Sequence, residues 1–443
     1  MEKGAHLVLQ LTCYCEPEQI SSSYLVDNRS EAFARAGIET IVYCPTPTRG
    51  VTREVRQEYK KRPKETKYDG MRTIHRYPLF GEGSSTVLRA LRYTLMCMME
   101  FLIAVFAKDA RRCNVLLVFS TPPIQGAMAA LVKKVRRIPL IYGLQDIFPD
   151  SLVSTGIAKK GGLAWKIGRV IENFTYRNAD KIIVISEDFR KNIMAKGVPE
   201  EKIEVVYNWV DADAIADIPR SSNVLIDRYG LDPEKFYLTY CGNIGLSQNL
   251  DMLLDVARSL EEYKDIHFVL IGNGAYRQQL EQKVNGQRSM VNGQRSTVNG
   301  QRSTVNGQWS IKNVTLLPFQ PYEDIAHVFS LGDASLVISK PGTGASSVPS
   351  KTWNIMAASR PVLASFDEGE LHSIIERQHC GLFIPAGDKE ALQAAILHLY
   401  NNRQLCQEMG SNGRQFVMQH LTKEVGTQRY VDIVKSVIKG NKS

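Results

Sequence analysis

From His6 to Leu11 the chain reads HLVLQL, and short apolar runs of this kind recur along it, each followed by a stretch with helical spacing. In the first half the strand-like runs are HLVLQL (6–11), ETIVYC (39–44), NVLLVFS (114–120), PLIYGLQD (139–146), KIIVISE (181–187) and KIEVVYN (202–208). Helical stretches at 22–36, 86–107 and 123–135 separate them. Strand and helix in turn make βαβ units and a parallel sheet. A second series follows, with KFYLTYCGN (235–243), HFVLIGN (267–273), NVTLLPF (313–319), ASLVISK (334–340) and PVLASF (361–366), and helices at 249–262 and 350–358. The pattern predicts two doubly wound α/β domains joined by the polar, proline-bearing segment 211–222. Ligands of such sheets bind beyond the carboxyl ends of the strands, so two domains facing each other offer a cleft there.

One segment breaks the pattern. Residues 284–310 read VNGQRSM, VNGQRST, VNGQRST, VNGQWS, a tandem heptad with one valine per repeat. One apolar position in seven cannot bury a core, and Asn-Gly pairs are turn signals, so a disordered surface insertion is expected. A coiled coil needs two apolar positions per heptad.

At 443 residues and 44% apolar composition the chain suits two domains. Its eight cysteines lack metal-ligand or disulfide-framework spacing and read as reduced core residues. The N-terminus shows no export pattern. The longest apolar run, Tyr93 to Ala107, contains Glu100 and falls short of the roughly 20 residues that span a bilayer. With Arg89, Arg92, Lys108, Arg111 and Arg112 around it, it is either a buried helix of an α/β layer or a helix at a lipid interface. The formal charge of +9 is concentrated in the first half, notably at 49–67. No nucleic-acid motif accompanies it, and an anionic membrane surface or a diphosphate ligand fits better than nucleic acid. A solvated basic loop is the plain reading of 49–67 itself.

The richest segment is PGTGASSVPSKTWNIMAASRPVLAS (341–365). Gly342 and Gly344 let the backbone approach a ligand, Ser350 opens a helix whose N-terminus favours phosphate, and Lys351 adds a charge in the first turn. A plain loop before an N-capped core helix is the alternative.

Several motifs resemble glycosyltransferase family 4: QDIFPDSLVSTG (145–156), NADKIIVISE (178–187), VVYNWVDADAI (205–215), YCGNIGLSQNLDMLLDVARSL (240–260) and VPSKTWNIMAASRPVLA (348–364). Their order matches the family over nearly the whole chain apart from the repeat. The resemblance implies a GT-B fold, with two Rossmann-like domains facing across a cleft: residues 1–215 for the acceptor, 216–420 for the nucleotide sugar, and 421–443 as a helix packing back on the first. It implies a retaining enzyme, with no cofactor and no metal, that moves a sugar from a nucleotide diphosphate, UDP-linked by expectation, to a lipid-linked glycan in capsule, O-antigen or exopolysaccharide synthesis. An N-acetylated or deoxy sugar is the nearest subgroup. The implied location is cytoplasmic, peripheral at the inner face of the cell membrane. A UDP-N-acetylglucosamine 2-epimerase of the same fold and a non-catalytic subunit are the alternatives.

The chain departs from the family where many members carry two glutamates eight positions apart: Ser346 and Asn354 stand there. Asn354 can still hydrogen-bond a ribose hydroxyl. The basic pair after the second domain's first strand is replaced by Asn243 and Gln248, near Gly245. Diphosphate charge then falls to Lys340, Lys351 and the helix terminus. Asp146, at a strand end, either serves the acceptor hydroxyl or fixes a loop, and Glu18 after the first strand carries the same two readings. Asp367, Glu368 and Glu370 either contact sugar hydroxyls or are solvated. Asp211 and Asp213 have metal-pair spacing but sit in the expected linker.

Overall fold

The computed structural model describes residues 6–18, 23–82, 85–154, 159–212, 214–286, 310–344 and 348–441, and divides into two compact units. The first comprises residues 1–209 and 423–443. In chain order it contains β1 (Leu7–Leu11), α1 (Ser23–Arg35), β2 (Glu39–Pro45), α2 (Arg53–Lys60), β3 (Lys64–Lys67), β4 (Arg72–Tyr77), α3 (Thr86–Phe106) and α4 (Lys108–Arg111). There follow β5 (Val115–Phe119), α5 (Ile124–Arg136), β6 (Leu140–Leu144), α6 (Asp150–Ser154), α7 (Leu163–Asn178), β7 (Lys181–Val184), α8 (Glu187–Ala195) and β8 (Ile203–Val205). The sheet order is β3-β4-β2-β1-β5-β6-β7-β8, parallel except where β3 meets β4.

Alternate strand residues point to opposite faces, and each face has its own helical layer. Leu9, Leu116, Val118 and Tyr142 share one core with Met96 of α3, Ala129 and Val132 of α5 and Tyr176 of α7. Val8, Leu117, Ile141 and Ile183 pack with Leu25 and Phe33 of α1 on the other face. That second face also takes Tyr430, Val431 and Val434 of the C-terminal helix, Lys423–Gly440.

On α3 the fully buried residues are Arg92, Met96, Glu100 and Ala104, spaced by four. Glu100 accepts hydrogen bonds from Tyr77 Oη at 3.2 Å and Gln125 Nε2 at 2.8 Å. The run 93–107 is therefore a layer helix whose inner face is core. No helix among the described residues is long and apolar enough to cross a membrane.

The basic stretch 49–67, expected as a loop, forms α2 and β3 instead. α2 buries no residue and β3 is an edge strand, so neither leaves an apolar period in the sequence. β4 was silent for a related reason: it buries two arginines. The Arg72 guanidinium meets Glu16 at 2.6 Å and that of Arg76 meets Glu65 at 2.9 Å.

The second unit, residues 210–422, contains α9 (Val224–Tyr229), β9 (Phe236–Cys241), α10 (Leu250–Ser259), β10 (Ile266–Ile271), α11 (Arg277–Val284), β11 (Val314–Leu317), α12 (Ile325–Ser330) and β12 (Ala334–Ile338). It continues with α13 (Lys351–Ala357), β13 (Val362–Phe366), α14 (Glu370–Gln378), β14 (Gly381–Pro385), α15 (Lys389–Asn401) and α16 (Arg403–His420), before α17 (Lys423–Gly440) rejoins the first unit. Its sheet, β11-β10-β9-β12-β13-β14, is wholly parallel.

The chain passes between the units at Trp209/Val210 and at Thr422/Lys423, rather than at 215/216 and 420/421. Segment 211–222 is part of the second unit, because polar side chains anchor its backbone. The Ile218 N–H donates to Ser330 Oγ at 3.0 Å, Arg414 Nη1 to the Ile215 carbonyl at 3.4 Å, and Arg360 Nη1 pairs with Asp217 at 3.0 Å. Of the heptad repeat, residues 287–309 lie outside the described residues. At its margins the Ile311 N–H donates to the Val284 carbonyl at 2.9 Å, so the chain leaves and returns at one place. All eight cysteines are buried and none forms a disulfide.

Candidate functional site

The second unit gathers its chemistry at the carboxyl ends of β9, β10, β12 and β13. β9 ends at Cys241 and turns through Gly242 to Gly245, while β10 runs into Gly272 and Gly274. The two turns are in backbone contact: a Cβ on Gly272 would lie 1.9 Å from the Gly242 carbonyl oxygen, and one on Gly274 would lie 2.3 Å from that of Ile244. Only glycine fits at either place, and both have positive φ. Tyr240 Oη donates to the Asn243 carbonyl at 2.6 Å and fixes the first turn from below.

Lys351, in the first turn of α13, reaches under this turn. Its ammonium lies 4.1 Å from the centre of the Tyr240 ring and would be 3.4 Å from a Cβ on Gly242. Burial lowers its pKa to about 8, opposed only by the Cys241 thiol, and no carboxylate among the described residues pairs with it. A desolvated cation facing an aromatic ring and a glycine turn has the chemistry to attract an anion.

The loop after β12 is tied to the same turn. The Lys340 N–H donates to the Ser247 carbonyl at 2.8 Å, and Thr343 Oγ1 donates to the Lys340 carbonyl at 2.7 Å. Lys340 itself is exposed. Asn243, Gly245, Lys340, Gly342, Gly344 and Lys351 are thereby brought together. Ser350 is exposed and makes no side-chain cap bond, and Asn354 lies one turn along the helix from Lys351. Ser346 lies outside the described residues.

Gly342 and Gly344 are held from within the unit. Their amides donate to the two carboxylate oxygens of Asp367, at 2.9 and 2.7 Å. In this structure the glycine loop is closed by an internal carboxylate, and its N–H groups are already satisfied. Gly344 is also sterically required, since a Cβ there would lie 2.6 Å from the Phe366 ring.

Four side-chain oxygens around these loops went unnoticed in the sequence. Gln248 Oε1, Ser339 Oγ, Thr352 Oγ1 and Ser365 Oγ are buried without a hydrogen-bond partner among the described residues. Leaving each unpaired costs about 1–3 kcal/mol, a cost that a polar ligand would remove. The signal was present in the serines that interrupt the apolar strand ends VIS and LAS. Tyr240 was legible only as a strand residue.

In the first unit, Asp146 follows β6 and is exposed. The Gln145 and Asp146 amides both donate to Ser120 Oγ, at 3.0 and 3.2 Å, which fixes the backbone while the Asp146 carboxylate has no hydrogen-bond partner among the described residues. Glu18 differs. It is 5% exposed, and its oxygens accept from the amides of Cys15, Thr48 and Arg49 at 3.2, 2.7 and 2.9 Å. Burial raises its pKa against those bonds. Glu18 is a clamp between the loops after β1 and β2, which is the loop-fixing reading of its two.

Among the described residues no group of three or more His, Cys, Asp or Glu side chains could hold a metal. Asp211 accepts from the Ala214 amide at 3.2 Å, and Asp213 lies outside the described residues. Glu368 binds His372 at 2.6 Å.

Residues 26–209 match the family model of the glycosyl transferase 4-like domain, and residues 235–402 match that of the glycosyl transferases group 1. The chain belongs to the glycosyltransferases of the GT-B fold. Over 353 residues it is 23% identical to the glycosyltransferase WbjE of Pseudomonas aeruginosa, covering 77% of this chain and 80% of that one. WcaI of Escherichia coli K12, named for colanic acid biosynthesis, is 24% identical over 65% of this chain and 66% of its own. Among solved structures, HepE of Anabaena in complex with UDP-glucose superposes with a TM-score of 0.66 at 15% identity, over 97% of this chain and 99% of that one.

Proposed function

We propose that this glycosyltransferase is a retaining enzyme that moves a sugar, N-acetylated or deoxy, from a UDP-linked donor to a lipid-linked glycan in surface polysaccharide assembly. The observation that carries the reading is Lys351: a buried ammonium without a counter-ion among the described residues, beneath a glycine turn at the carboxyl end of a parallel sheet. A nucleoside diphosphate supplies the missing negative charge. The UDP-glucose in HepE and the colanic acid role in WcaI's name support the donor and the pathway class.

In this reading Lys351, aided by the exposed Lys340, takes up the diphosphate charge without a metal or other cofactor. The anomeric carbon–phosphate oxygen bond breaks and a bond to the acceptor oxygen forms on the same face. The acceptor proton passes to the departing diphosphate, and Asp146 orients the acceptor hydroxyl. Asn354 and the unpaired oxygens of Gln248, Ser339, Thr352 and Ser365 are available to donor hydroxyls.

The test is incubation with each UDP-sugar and a polyprenyl-diphosphate-linked acceptor, followed by nuclear magnetic resonance of the product. A glycolipid with the donor's anomeric configuration supports the proposal, whereas an inverted linkage contradicts it. Conversion of UDP-N-acetylglucosamine to its 2-epimer without acceptor would mark an epimerase instead.

A further inference from the structure

Helices α3, α5 and α7 lie side by side over one face of the first unit's sheet. Their inner sides are core, and their outer sides are also apolar. On α3 the solvent-facing residues Val87, Leu91, Leu95, Met98, Leu102 and Phe106 fall at spacings of three and four, a single stripe along the helix. Leu131 and Val135 continue it on α5, and Leu163, Ile167 and Val170 on α7. Val87 and Leu163 are 77% and 76% exposed, a degree that no partial burial explains. Twelve of the twenty exposed large hydrophobic side chains among the described residues, counting Leu88, lie on these three helices. A soluble surface scatters such residues singly, and a contiguous patch marks an interaction face.

The charges around the patch select the partner. Within α3, α5 and α7 the only acids are Glu100 and Glu172, and both are buried. The fully exposed charges on and next to the layer are basic, while the half-exposed Asp109 and Asp180 beside it are taken up by His75 and Lys133. Lys108, Arg111, Arg112 and Arg137 gather at one end, where Arg136 Nη2 donates to the carbonyls of Arg111 and Cys113 and joins the end of α5 to the end of α4. Lys159 and Lys160 precede α7, and Lys166 lies on it. None of these seven exposed side chains forms an ion pair among the described residues. A protein partner or a second copy of this chain would be matched by polar groups of both signs, whereas an apolar face whose unpaired surrounding charges are basic complements a bilayer with anionic headgroups.

We infer that the outer face of α3, α5 and α7 is the surface by which the enzyme docks on an anionic membrane, with the apolar stripes entering the headgroup region and the lysines and arginines meeting lipid phosphate. The inference deepens the proposed function and rests on its lipid-linked acceptor.

The test is flotation of the full chain with phosphatidylcholine vesicles, with and without phosphatidylglycerol, alongside a UDP thermal-shift measurement in the same buffer. Wild type floats with the anionic vesicles and much less with the neutral ones. The Leu91→Gln/Met98→Gln/Leu102→Gln variant loses about tenfold or more of this binding while its UDP shift is unchanged and its melting temperature nearly so, because the replaced side chains are about half exposed and none belongs to the buried core. The Lys160→Glu/Lys166→Glu variant loses a similar factor at low salt and less at high salt. Failure of wild type to float, or variants that float as wild type does, overturns the inference. A wild-type dimer that the triple variant dissociates, without vesicle binding, also overturns it and assigns the face to a second copy. In each case an intact UDP shift keeps the donor reading separate.

Discussion

At the scale of single residues, the desolvated Lys351 makes donor binding depend on pH in a defined direction. Its free pKa is about 8, below the ordinary 10.5, and a diphosphate favours the ammonium, so binding takes up a proton between those values. UDP affinity is therefore expected to be flat below about pH 8 and to fall about tenfold per pH unit above it, whereas Lys351→Ala binds weakly at every pH. Calorimetric titration from pH 7 to 10 checks this, and a flat wild-type profile would contradict it. Glu100 makes a second pH prediction, for stability. Burial raises its carboxyl from 4.5 to about 8, so the folded state holds a proton that the unfolded state has released. The stability it contributes is full below pH 4.5 and is lost as pH rises through 8, at about 1.4 kcal/mol per pH unit in that window. Glu100→Gln removes that slope and melts higher than wild type at pH 8, as differential scanning calorimetry at pH 5 and 8 would show. Lys351 could be picked out in the sequence because a lysine in the first turn after a glycine loop has an evident use. Its Tyr240 platform, the Asp367 closure of the loop and the amide-bound Glu18 could not, because each depends on contacts between distant segments.

At the scale of elements, the strands announced themselves wherever apolar residues fill them, and their ends came within a few residues of the observed limits. β3, β4 and α2 were hidden because their stability rests on charge pairing and edge position, which leave no hydrophobic period. The sequence of the helix at 93–107 fits both a layer helix and an interfacial one because of its two faces: one is core and the other is exposed and apolar, so the sequence is apolar all round. The glycine turns after β9 and β10 carry the sharpest prediction at this scale. Gly272→Ala puts a methyl group 1.9 Å from a carbonyl oxygen at a φ of +151°, and neither backbone can yield without parting the two strands. It is expected to cost about 3 kcal/mol or more and to abolish UDP binding. Urea unfolding of the variant checks the first, and wild-type stability would contradict it.

At the scale of the whole molecule, the chain's return to its first unit is structural. Tyr430, Val431, Val434 and Ile438 of α17 belong to the first unit's core, and the buried Arg29 guanidinium lies 4.4 Å from the Phe119 ring centre and 5.2 Å from that of Tyr430. Ending the chain at Thr422 removes several side chains worth about 1.5–3 kcal/mol each and exposes an arginine's buried neighbours. The truncated chain is expected to lose the first unit's cooperative melting transition, which circular dichroism would follow; an unchanged two-unit melt would contradict this.

Whether the second unit holds a nucleotide sugar through Lys351 can be read from a thermal-shift series against UDP-, GDP-, dTDP- and ADP-sugars with wild type and Lys351→Ala. A ligand that binds only the folded state raises the melting temperature by mass action. A selective rise with UDP-sugars in wild type, lost in the variant, is expected; no rise with any nucleotide sugar, or an equal rise in both proteins, would rule out this role of Lys351.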